Sequence, residues 1–336
     1  MSKEINHIFI IAEAGVNHNG KLELALHLCD AAKEAGVDAV KFQTWKTEKI
    51  LTRNVPKAEY QEINDSTEES QFDMIKKLEL SYSEFEIIYN YCQKIGVIFL
   101  STPDEVDSLH FLLKLGMDTI KVGSGDINNI PYLRKIGNTR LPVILSTGMS
   151  TLSDVELAFD TLVKSGTPEI TLLHCTTNYP CPMEEINLSA MQTLATAFKV
   201  KVGYSDHSMG IEVPIAAVAM GAQVIEKHFT LDRNMKGPDH AASLEPNELN
   251  QMVKAIRNIE KALGNGIKKP NISEQKIETV VKKRIVAAKF IAQGEKFTDE
   301  NITVKRSEKG LSAEFWDLVQ GRKSNSNYEA DKAITL

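Results

Sequence analysis

Two lysines, two histidines and a set of carboxylates and hydroxyls stand where short apolar runs of this chain end. Lys41 lies in DAVKFQT and Lys121 in KVGSGD. A lysine buried in such a run needs an anion beside it. A structural ion pair with Glu13 or Glu226 is one reading. A phosphate or carboxylate ligand is the sharper one, and a Schiff-base lysine is a third. The neighbouring run ends favour the ligand. They carry Ser101 and Thr102, Ser124 and Asp126, Ser146 and Thr147, Thr176, Thr177 and Tyr179, and Ser205 and Asp206, and several hydroxyls there can bind the oxygens of one anion. His207 and His228 end adjacent runs, the second next to Glu226 and Lys227. Two imidazoles so placed make a divalent-metal pair, with water and a carboxylate to complete it. Catalytic zinc usually takes three protein ligands, so an exchangeable ion such as Mn²⁺ fits better. His7, His27 and His110 read as structural, His18 as a loop residue and His174 as a wall residue.

These groups need elements that bring them to one place. Eight β-branched runs recur, at 8–14, 39–44, 97–103, 119–124, 142–148, 170–176, 200–205 and 223–230. Most are continuously apolar, as parallel strands buried on both faces are. Segments with helical spacing lie between them, at 22–35, 83–95, 155–165 and 211–220, and Gly36, Gly96, Gly116 and Gly221 mark stops. Eight β-then-α units predict a (β/α)₈ barrel, with catalytic groups at the C-terminal strand ends. A doubly wound open sheet is the runner-up, but no GxGxxG opens the first helix. The polar stretch 45–80 is either a loop shaping the pocket or a solvated insertion. An amphipathic helix follows at 245–263. The expected domains are the barrel over 1–263, a linker over 264–284 and a small β-rich domain over 285–336.

The bulk numbers set the class. The chain has 336 residues and a formal charge of -6, which argues against a nucleic-acid partner. The apolar stretch at 8–12 is too short for a signal-peptide core, and no run reaches the length of a membrane span. A soluble, cytoplasmic protein is expected, with no membrane partner. Of its four cysteines none forms a CxxC pair, so no disulfide is expected. Cys29 and Cys92 read as core residues, and Cys175 as a packing residue close to the chemistry.

The motifs IIAEAGVNHNG, DAVKFQT, FLSTP, KVGSGDINNIPYL, ILSTGM, LLHCTTNYP, VGYSDHSMGI, VIEKHFTLDRNMKGPDHAASLEP and ITVKR run through nearly the whole chain. In these the chain resembles the sialic acid synthases: N-acetylneuraminate synthase and the bacterial relatives that make legionaminate or pseudaminate. Its last piece is similar to their antifreeze-like (SAF) domain. The resemblance implies condensation of phosphoenolpyruvate with an open-chain N-acylmannosamine-type sugar, with water addition and loss of phosphate by C–O cleavage. It puts the metal, Mn²⁺ before Mg²⁺ or Co²⁺, on His207 and His228, and a water on that ion beside Asp239. Phosphoenolpyruvate would be bound by Lys41, Thr102, Lys121, Ser124, Ser146, Tyr179 and Ser205. Glu13 and Asp126 would face the sugar, with Thr177 and Tyr179 near it. Arg306 would reach the sugar's N-acyl group in the partner subunit of a domain-swapped homodimer; without the resemblance it reads as a surface arginine.

Three departures bear on the acceptor. Thr177 stands where some sialate synthases have Asn, Asp126 where some have Glu, and Ser307 where many bacterial members have Pro. The 45–80 stretch, CTTNYP and KHFTLDRNMKGPDHAASLEP resemble the legionaminate branch most, which implies 2,4-diacetamido-2,4,6-trideoxymannose rather than N-acetylmannosamine. A pseudaminate or KDO-8-phosphate synthase is the neighbouring alternative. A non-catalytic sugar- or ice-binding protein is the alternative from another class.

Overall fold

The computed structural model describes residues 7–57 and 70–336. It divides into two compact units, Met1–Asn265 and Gly266–Leu336. In the first, eight parallel strands form one sheet: β1 (Phe9–Gly15), β2 (Ala39–Thr44), β3 (Ile98–Pro103), β4 (Ile120–Val122), β5 (Val143–Ser146), β6 (Ile170–His174), β7 (Lys201–Asp206) and β8 (Val224–His228). β1 pairs with both β2 and β8, the hydrogen-bonded order runs from β3 round to β4, and those two end strands lie against each other. The expected (β/α)₈ barrel is therefore the fold, and the open sheet is excluded.

Local sequence explains the alternation. The helix Tyr82–Ile95 opens on a capping box between Ser81 and Glu84 and stops at Gly96, whose φ of 72° suits a residue without a side chain. The helix Leu152–Ser165 opens in the same way with Thr151 and Asp154. Gly203 lets β7 approach β8, since a Cβ there would meet the Val224 carbonyl oxygen at 2.2 Å. Ile10, Ala12, Val40 and Ile225 join the main apolar core, and the alternate positions of the same strands turn into the barrel.

Three regions depart from the sequence reading. The run 119–124 yields only three strand residues, because Ser124–Asp126 turns into a 3₁₀ helix. The stretch 45–80, expected as a pocket-shaping loop or a solvated insertion, carries short helices at Thr47–Ile50 and Gln71–Leu78; its residues 58–69 lie outside the described residues. The stretch expected as a linker holds the helix Ile272–Val281, opened by a capping box between Asn271 and Glu274. Its apolar residues sit among charged ones, which hid the period. The rest of the second unit pairs β9 (Lys283–Ala287) with antiparallel β10 (Ile302–Arg306) over a small core of Ile285, Ile291, Phe297, Val319, Tyr328 and Ile334. No described helix is long and apolar enough to cross a membrane.

Candidate active site

Strand register sets the site. Glu13 lies opposite Lys41 on β2 and His228 on β8, and Ser205 lies opposite Glu226. Side chains one pleat apart share the barrel interior, so these groups converge at the C-terminal end. They line a cavity of about 220 Å³ together with Thr102, Lys121, Ser124, Asp126, Ser146, Thr177, Tyr179 and His207. Twelve of the fourteen residues expected at the site thus meet in one place. Asp239 is not among the lining residues, but its carboxylate is 3.9 Å from Nδ1 of His228, which lines the cavity. Arg306 is an exposed residue at the end of β10 in the second unit.

Two buried lysines and two buried glutamates form the floor. Lys41 Nζ is 2.7 Å from Glu13 and 3.7 Å from Glu226, and donates to Thr102 Oγ1 at 3.2 Å. Lys121 Nζ donates to Ser146 Oγ at 2.7 Å and is 3.6 Å from Glu226. Ser205 donates to Glu226 at 2.9 Å. The ion pairs with Glu13 and Glu226 are thus real, and three of the hydroxyls expected to bind an anion, Thr102, Ser146 and Ser205, bond the lysines or Glu226. Burial alone would raise Glu226, but Lys121 and Lys41 outweigh it and hold the carboxyl at about 2. Burial lifts Glu13 to about 7 against the pull of Lys41. Burial also lowers Lys121, so an anion entering beside it would favour its charged form.

The histidine corner is different in kind. His207 Nδ1 lies 2.6 Å from the Thr176 carbonyl oxygen. A carbonyl only accepts, so Nδ1 carries the proton and Nε2 keeps its lone pair. Burial lowers His207 to about 4, and burial with the neighbouring His207 lowers His228 well below the usual histidine range. Both imidazoles are neutral, with ring centres 5.5 Å apart. His228 Nδ1 is buried without a hydrogen-bond partner. Burial lifts Asp239 to about 6. No group of three or more His, Cys, Asp or Glu among the described residues makes a closed metal site. Two neutral nitrogens, one of them orphaned, with a carboxyl nearby fit an exchangeable divalent cation better than a closed zinc cage.

These donors sit in a chain whose residues 28–268 match the NeuB family model. The chain belongs to the NeuB family. Residues 283–336 match the SAF domain, which agrees with the expected fold of the last segment. The N,N'-diacetyllegionaminic acid synthase of Campylobacter jejuni is 49% identical over 97% of this chain and 98% of its own length. The enzyme of that name from Legionella pneumophila is 44% identical over 97% and 93%. The crystal structure of an N-acetylneuraminic acid synthetase from Leptospira borgpetersenii superposes with a TM-score of 0.73 at 40% identity, covering 81% of this chain and 90% of that one.

Sequence reasoning missed one member of this NeuB-family site. Asp104 also lines the cavity, as do Gln43 at the end of β2 and Cys175, the latter expected close to the chemistry. Asp104 is the residue after FLSTP, so its position at a strand end was available as a signal. Cys175 shares a 3.3 Å contact with Ser124 Oγ; it packs, and its thiol is raised by burial, so it is a wall residue and not a nucleophile. His174 faces the wall as expected, 2.8 Å from the Ile186 carbonyl oxygen. Asp206 and Lys227 alternate with the cavity residues and face away, paired at 2.6 Å.

Proposed function

We propose that this NeuB-family protein is a nonulosonic acid synthase. It joins phosphoenolpyruvate to open-chain 2,4-diacetamido-2,4,6-trideoxymannose and releases phosphate and N,N'-diacetyllegionaminate. The observation that carries the chemistry is the floor of the cavity, where Lys41 and Lys121 flank Glu226 among hydroxyls. The resemblance to the legionaminic acid synthases supports the choice of sugar.

In this reading Lys41 and Lys121 take the carboxylate and phosphate of phosphoenolpyruvate, with Thr102, Ser124, Ser146, Tyr179 and Ser205 completing the oxygens' hydrogen bonds. The enol carbon attacks the sugar's aldehyde carbon. Water then adds at the carbon bearing phosphate, and the C–O bond to phosphate breaks. Glu13, poised near neutrality, exchanges a proton at the sugar, and Asp239 receives one from the adding water. His207 and His228 would hold a divalent ion, Mn²⁺ before Mg²⁺ or Co²⁺, which when bound polarises the aldehyde oxygen. Asp126 and Thr177 contact the sugar. Arg306 serves the partner's site in a domain-swapped homodimer, where a cap excludes water. The reaction belongs in the cytoplasm, where phosphoenolpyruvate is made.

The test is phosphate release from phosphoenolpyruvate with Mn²⁺, given this sugar or N-acetylmannosamine, with and without EDTA. Turnover that chelation abolishes and that is faster with the diacetamido sugar is expected. Faster turnover of N-acetylmannosamine would reassign the product to N-acetylneuraminate. Ligand binding without phosphate release from either sugar would overturn the synthase reading.

A further inference from the structure

The cavity holds more carboxyls than its cations can neutralise. Lys41 and Lys121 are the lysines in its lining, against Glu13, Glu226, Asp104 and Asp126. The first two carboxyls face the lysines directly. The other two come from the turns after β3 and β4. Asp126 is held in place, since Asn129 Nδ2 donates to its Oδ1 at 2.9 Å. Asp104 is tied by its backbone alone. Its N–H donates to the Thr44 carbonyl oxygen at 3.0 Å, and among the described residues its carboxyl makes no hydrogen bond or ion pair.

An unpartnered carboxyl that lines the cavity is free to accept a hydrogen bond from whatever enters. Phosphoenolpyruvate brings it no N–H or O–H donor, and the cavity's lysines stand ready for that anion's oxygens. The acceptor brings hydroxyl and N–H donors. We propose that Asp104 reads the acceptor sugar, its carboxyl taking a hydrogen bond from a hydroxyl or acylamino N–H while Asp126 offers a second acceptor from the neighbouring turn. Burial first and then the nearby Asp126 push Asp104 well above the usual carboxylate range. That supports a close carboxyl pair and does not weaken the assignment, since the carbonyl oxygen of a protonated carboxyl still accepts. The inference rests on the synthase reading and extends it to a residue that selects among acceptors. A site built to bond a substrate N–H or O–H penalises an analogue that lacks it.

Asp104→Ala and Asp104→Asn are compared with the wild type in the phosphate-release assay, with both sugars and with phosphoenolpyruvate varied separately. Asp104→Ala is expected to lower kcat/KM for the preferred sugar by about 10- to 100-fold. The KM for phosphoenolpyruvate stays within about twofold, and the preference between the two sugars changes by at least about fivefold. Asp104→Asn keeps the shape and moves in the same direction by a smaller factor, so it decides the matter if the alanine variant does not fold. Unchanged acceptor kinetics and preference would overturn the inference and leave the synthase reading standing. So would a rise in the phosphoenolpyruvate KM that matches the acceptor loss. A wild type that turns over neither sugar overturns both.

Discussion

Glu226 and Lys227 are consecutive residues on β8, and each meets buried charge on its own face of the strand. Lys227 is fully enclosed: it donates to Asp206 Oδ2 at 2.6 Å and to the Ser208 carbonyl oxygen. Asp206 Oδ1 in turn accepts from Ser208 N–H at 3.0 Å and Ser208 Oγ at 2.8 Å. Glu226 is also buried, but its lysines stand 3.6 and 3.7 Å away, and its Oε2 has no hydrogen-bond partner. The outer pair is complete and has no room for a ligand. The inner cluster is incomplete, because Glu226 has both its lysines beyond hydrogen-bonding range and one oxygen without a hydrogen bond. A buried network left open in this way is where an incoming anion gains most.

The sharpest break in this comparison is Lys227→Met. It leaves Asp206 buried and unpaired, which costs about 3–5 kcal/mol in unfolding free energy. Urea unfolding reads this as a lower midpoint at unchanged slope. A loss under about 1 kcal/mol would mean the outer pair is a spectator and the contrast is false.

Lys121→Met cuts the inner cluster. Lys121 is already disfavoured as a cation by burial, and Glu226 keeps Lys41 at 3.7 Å. The expected stability change is therefore smaller, about 1–2 kcal/mol. Turnover answers instead: kcat/KM for phosphoenolpyruvate should fall by at least about 100-fold, roughly 2.7 kcal/mol. Equal stability losses for the two variants would make the inner lysine structural.

The histidines repeat the contrast within one pair, since His207 Nδ1 is satisfied and His228 Nδ1 is not. An ion held there stabilises the folded chain by mass action, about 2.7 kcal/mol at 100 times its Kd. Mn²⁺ should therefore raise the Tm of the wild type, and His228→Ala should abolish that rise. An equal rise in the variant would place the ion elsewhere.

Much of this was legible because strand periodicity and strand-end chemistry are written locally. Lys41, Lys121, His207 and His228 stood out as charged or ligating residues in apolar runs. Parity alone put Lys227 opposite Glu226 and His228, although the sequence reading grouped all three at one strand end. Asp104 escaped because an aspartate after a strand is also an ordinary turn residue. The short β4 escaped because the run at 119–124 continues as a turn in the same residue types. The helix Ile272–Val281 escaped because none of its residues is buried, so burial never impressed a period on it. Arg306 shows a different limit: the role proposed for it depends on assembly, which no local pattern encodes.

The effect spread over the widest range of conditions concerns Glu13. Its carboxyl sits at about 7, raised from 4.5 chiefly by burial. The folded chain therefore holds a proton between those two values that the unfolded chain has lost. Stability from this group is full below pH 4.5, declines as pH rises through 7, and is flat above it. The value of about 7 already includes the pull of Lys41, 2.7 Å away. Glu13→Gln removes the titration, so the wild type's stability relative to this variant should fall between pH 4.5 and 7 in urea unfolding at stepped pH. A difference that is flat over that window and instead falls as pH drops below 4.5 would mean that Lys41 already holds Glu13 ionised, and that the inner cluster is closed like the outer pair.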